Sequence, residues 1–108
     1  MGLYVIEFFV QGRGWVAQEE LGLSGGLQTR EEAENVASYL IDTRMRNAAH
    51  PYGSKIGDII GFKIVEVEGA ERMNPSPEAW RFRFSEVKHR FFKRGEAYIL
   101  YKYWSWPD

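Results

Sequence analysis

One segment of this chain carries a full helix signature, and the segments around it read as strand. Thr29 stands where an N-cap belongs and Glu32 follows three residues later. That is the spacing of a capping box, in which each side chain satisfies an N–H orphaned at the helix start. Glu31, Glu32 and Glu34 also set negative charge near the positive end of the helix dipole. Ala33, Val36, Ala37, Leu40 and Ile41 recur at the spacing of one buried stripe, and Arg44 and Arg46 follow near the carbonyl end. The pattern predicts a helix over 30–46. One amphipathic helix has one apolar stripe to bury, so the rest of the chain must supply a partner layer.

That layer reads as β. Leu3 to Val10 is too short for a stable helix and apolar on both alternating faces, which predicts a central strand. Gln11-Gly12-Arg13-Gly14 is a turn, and Trp15 to Glu20 reads as the returning strand of a hairpin. Asp58 to Glu68 reads as a third strand, densest in β-formers from Phe62 to Val67. Trp80, Phe82 and Phe84 alternate with Arg81, Arg83 and Ser85, which predicts a half-buried strand with a cationic outer face. Lys93-Arg94-Gly95-Glu96 reads as a tight turn into a last strand from Ala97 to Trp106. The expected order is β-β-α-β-β-β: an α+β fold in which a single domain, 1–108, lays one helix on an antiparallel sheet of about five strands.

Composition sets outer limits. The chain has 108 residues, no cysteine and a formal net charge of −1. Disulfides and thiolate metal sites are excluded, and no global field draws the protein to nucleic acid or membrane. No run approaches the roughly 18 apolar residues of a membrane span. The N-terminus carries Glu7 and no basic flank, unlike a signal peptide. The reading is a cytoplasmic protein with no membrane partner.

No motif fixes a catalytic chemistry. His50 with Asp42 or Asp58 is the one pair open to a small-enzyme reading, but no nucleophile elbow or thiol accompanies it. Glu66 with Glu68, and Glu19 with Glu20, read as solvated carboxylates rather than a metal site. The glycine-rich stretch Gly22 to Thr29 precedes a helix, yet its spacing fits no phosphate loop and Glu31, Glu32 and Glu34 would repel an anion. The sequence therefore predicts no enzyme, no cofactor and no metal.

The densest signal lies between Trp80 and Trp106, which hold ten of the seventeen aromatic residues. Residues 1–36 carry a net −4 and residues 80–108 a net +4, so the two ends can attract each other within the fold. Aromatic rings among cations are also what binding surfaces use. The expected partner-binding set is Arg81, Arg83, Lys88, Arg90, Lys93 and Arg94 for steering, with Tyr101, Tyr103, Trp104 and Trp106 as anchors. A protein partner is favoured. A second copy of the chain and single-stranded nucleic acid stacked on the Arg and aromatic strand face remain open.

The opening hairpin with Trp15, the run Thr29-Arg30-Glu31-Glu32-Ala33 and the short β-rich remainder give the chain a further character. In style it resembles the small single-domain accessory proteins of bacteriophages and other mobile elements, some of which inhibit host defence systems such as CRISPR. That resemblance implies a protein that binds and blocks a large partner, and it assigns no residue.

Overall fold

The structure, a computed structural model, describes residues 2–46 and 58–103, with side chains described for 2–43 and 58–102. Strands β1 (Leu3–Val10), β2 (Gly14–Ala17), β3 (Ile59–Val67), β4 (Phe91–Arg94) and β5 (Ala97–Leu100) form one antiparallel sheet in the order β2-β1-β3-β5-β4. Helix α1 (Arg30–Arg46) lies between β2 and β3 in sequence, and two short helices, α2 (Pro77–Arg81) and α3 (Phe84–Val87), lie between β3 and β4. The α+β fold is the one the sequence predicts.

Helix α1 spans the predicted residues, and its start differs in one detail. Thr29 Oγ1 accepts the Glu32 N–H at 3.1 Å, as an N-cap should. The Glu32 carboxylate accepts from the N–H of Gln28 instead of Thr29, so the reciprocal bond reaches one residue further back. Ala33, Val36, Ala37 and Ile41 enter the core as the stripe requires, and Leu40 packs half-buried at its margin.

All three helices feed one hydrophobic core on one face of the sheet. Ile6, Phe8 and Val10 of β1 meet Phe62 and Ile64 of β3, the stripe of α1, Ala79 of α2 and Phe84 of α3. Phe62, Phe84, Phe91 and Tyr98 form an aromatic centre with ring centroids 4.9–5.7 Å apart. Mostly edge-to-face, these rings gain contact energy beyond their burial.

Three segments depart from the alternation read in the sequence. Trp80 to Phe84 is not a strand. Ser76 caps α2 by accepting the Ala79 N–H, and Pro77 sits in its first turn, so local helix-start chemistry overrides the period-2 pattern. The chain then extends through Phe82 and Arg83 before α3 begins. The fourth strand is instead Phe91–Arg94, closed on β5 by a two-residue loop with Gly95 at φ +62°. The last strand stops at Leu100, where a 3-10 turn over Tyr101–Tyr103 follows.

The second strand likewise stops at Ala17. The next residue, Gln18, is 1 % exposed: its Oε1 accepts the Ile6 N–H at 2.8 Å and its amide donates to the Gly25 carbonyl. The side chain thus replaces a strand along the outer edge of β1. Further along that edge, Tyr4 and Leu27 exchange two backbone hydrogen bonds of 2.8 Å. Buried backbone groups left by the short hairpin are satisfied in this way.

Candidate interaction surface

Register across the sheet sorts residues into rows. Val16, Phe8, Phe62, Tyr98 and Lys93 stand opposite one another from edge to edge on the helix-covered face. The next row, Trp15, Phe9, Gly61, Ile99 and Phe92, lies on the face that none of the helix residues in the core reaches. Beside it on that second face run Ala17, Glu7, Lys63, Ala97 and Arg94.

The second face is largely apolar, and Gly61, Ala97 and Ile99 at its centre are buried. Leu3, Val5, Val65 and Val67 continue it toward one end, all half-buried. Trp15 meets Phe9 edge to face at 5.1 Å and stays 38 % exposed. The Lys63 ammonium sits 4.6 Å from the Trp15 ring centre and 3.8 Å from the Glu7 carboxylate. At the opposite edge Phe92 packs on Tyr101 at 5.5 Å, and Tyr101 is 54 % exposed. Two aromatic pairs therefore bracket a face whose central charges are Glu7 and Lys63. Comparison with protein families, curated proteins and solved structures finds no match for this chain.

Gly61 occupies the middle of the aromatic row for a steric reason. A Cβ there would lie 2.5 Å from Ile99 Cδ1 and 2.6 Å from the Tyr98 carbonyl oxygen. The Ile99 side chain leans into the space, so β3 and β5 close without a gap between the two aromatic pairs.

The predicted binding residues do not form one stripe. Lys88, Arg90 and Lys93 gather beside α1 on the helix side. Arg90 donates to Asp42 at 3.1 Å, and the ammonium groups of Lys88 and Lys93 stand 6.0 and 5.7 Å from the Tyr98 ring centre. Both lysines also act on Glu34 of α1. Burial pushes the Glu34 carboxyl above its ordinary value, while Arg30, Lys88 and Lys93 pull the other way and Glu31 adds to the rise. Basic and acidic ends of the sequence thus meet at this seam. Arg81 and Arg83 are exposed around the break between α2 and α3, where Arg83 donates to the Trp80 carbonyl. Among the described residues of the set, Arg94 and Tyr101 belong to the second face. The side chain of Tyr103, together with Trp104, Trp106 and His50, lies outside the described residues.

Asp42, one of the two carboxylates considered for His50, is engaged by Arg90, and Asp58 is exposed. Among the described residues no group of three or more His, Asp or Glu converges to hold a metal, and no helix is long and apolar enough to cross a membrane. Phe9, Trp15 and Lys63 are absent from the binding set that the sequence predicts. The signal was present: Leu3–Val10 is apolar on both faces, and one helix covers only one of them.

Proposed function

We propose that this chain is a non-catalytic binding module that engages a protein partner through the helix-free face of its sheet. The carrying observation is the pair of aromatic contacts, Phe9–Trp15 and Phe92–Tyr101, set at opposite edges of one apolar face with Trp15 and Tyr101 exposed. Tryptophan and tyrosine are among the residue types that dominate binding energy in protein interfaces. Lys63 is paired with Glu7 at the centre of this face, so the complementary partner surface is mainly apolar. Blocking a larger protein is the role that fits such a module.

A single-stranded nucleic acid is the weaker reading. Arg90, Lys88 and Lys93 are turned toward Asp42, Glu34 and Tyr98, which reduces the charge they offer to phosphates. The sequence alternation that suggested a stacking platform at Trp80–Phe84 is split between the end of α2, two extended residues and the start of α3.

The test compares wild type with a Trp15→Ala/Tyr101→Ala double variant in quantitative pull-downs from cells of the source. The expected result is a protein retained by wild type and lost from the folded variant. Equal retention by both, or tight oligonucleotide binding at about 50 mM salt that fades with added salt, would overturn the proposal.

A further inference from the structure

A cleft of about 470 Å³ opens on the helix side, remote from the sheet face described above. Its floor is Val36, Met73 and Ala79, all buried, and its walls include Leu23, Tyr39 and Leu40, all half-buried. Ser24, Asn74 and Ser76 supply neutral polar groups at the rim. Among the described residues Arg72 is the one charged residue in the lining, and no carboxylate is among them.

The walls are held before any ligand arrives. Buried Gln18 ties down the 22–27 loop through the Gly25 carbonyl, and its backbone oxygen accepts the Leu23 N–H at 3.1 Å. The 71–76 loop is pinned to the same segment: Gly26 donates to the Glu71 carbonyl and Met73 donates to the Gly26 carbonyl, both at 2.7 Å. Gly25 at φ +90° lets the loops approach, since a Cβ there would lie 2.7 Å from the Glu71 oxygen. Apolar walls, a few fixed polar groups and a volume within the range of about 300–1,000 Å³ are the attributes of a small-molecule site.

Charge decides the class of ligand. The Arg72 guanidinium is exposed and makes no side-chain hydrogen bond or ion pair among the described residues, although its backbone position is fixed beside Gly26. Glu19 and Glu71 line the adjoining hollow on its other side. Among the described residues the lining therefore offers a ligand one cationic residue, Arg72, and no acid. We infer that this cleft binds a small amphipathic carboxylate, its hydrocarbon body on Val36, Leu40 and Met73 and its carboxylate at Arg72.

The experiment titrates octanoate, 1-octanol and octylamine into methyl-labelled protein and follows Leu23, Val36, Leu40 and Met73 by NMR. The inference predicts saturable shifts at these methyls, with octanoate tightest and octylamine weakest. Arg72→Gln should weaken octanoate about three- to fivefold and leave octanol unchanged, the size of an exposed charge contact. Ser24→Glu, at an exposed rim position, should weaken octanoate further while the remaining spectrum stays native. Shifts scattered over the whole protein, no saturation with octanoate, or equal response to all three probes with Arg72→Gln silent, would each overturn it.

Discussion

The side chain of Asn35, buried in the middle of α1, accepts the backbone N–H of Phe84 at 2.9 Å across 49 residues of sequence. Phe84 begins α3 just where the chain resumes helical geometry after two extended residues, and its N–H has no partner inside that helix. One amide thus positions the ring that completes the aromatic centre with Phe62, Phe91 and Tyr98. Asn35→Ala removes the acceptor and leaves the N–H buried, so it should cost about 1–3 kcal/mol in urea unfolding. A loss below about 0.5 kcal/mol would mean that water or another group serves Phe84 as well.

Gln18 makes a related but larger claim, because it serves two backbone groups. Gln18→Met fills the same space and satisfies neither the Ile6 N–H nor the Gly25 carbonyl. The expected cost is about 2–4 kcal/mol. Amide exchange at Ile6 should rise relative to its neighbours in β1 while Phe8, paired with β2, stays protected. Unchanged exchange at Ile6 would contradict the role assigned to this side chain.

Gly61→Ala tests the closure of β3 on β5. The new methyl conflicts with a side-chain atom, Ile99 Cδ1, and with a backbone atom, the Tyr98 oxygen. Overpacking of this kind costs about 1–3 kcal/mol. Adding Ile99→Val removes the first conflict and leaves the second, so thermal unfolding of the double variant should show partial recovery relative to Gly61→Ala. Complete recovery would place all the strain in the side chain.

Glu34 gives stability a pH dependence of defined sign. Its carboxyl titrates above the ordinary value of 4.5 because burial outweighs the pull of Arg30, Lys88 and Lys93. A carboxyl whose folded-state value is raised favours the fold when protonated and loses that contribution as pH rises through the folded value. Glu34→Gln should therefore be at least as stable as wild type at pH 7, and the difference should close as pH falls below 4.5. A variant clearly less stable at pH 7 would show that the lysine contacts outweigh burial. Urea melts at several pH values decide between the two.

The helix and the hairpins were legible because their signals are local. Thr29, the 33–41 stripe and the turn at Gly95 each determine their own neighbourhood. Trp80 to Phe84 misled because its alternation is real but subordinate to Ser76 and Pro77, a cap and a first-turn proline that start a helix four residues earlier. The length of the last strand was not readable either. It depends on how many β4 residues lie opposite, and those pairings run only from Arg94 to Phe91. The surroundings of Arg90, Lys88 and Lys93 were not readable for a non-local reason: they lie near Asp42 and Glu34 of α1, a placement fixed by tertiary packing. The apolar second face was implied by Leu3–Val10 and one helix, yet its rows required the register of all five strands.

The central claim is that the helix-free face meets a protein, and position-specific photocrosslinking tests it most directly. A photoreactive phenylalanine analogue placed at Ala17, exposed on that face, is compared in cells of the source with the same group at Arg83, exposed on the helix side. The account predicts a discrete protein adduct from position 17, absent from position 83 and abolished by Tyr101→Ala at the far edge of the same face. Adducts from position 83 alone, or none from position 17 in folded protein, would contradict it.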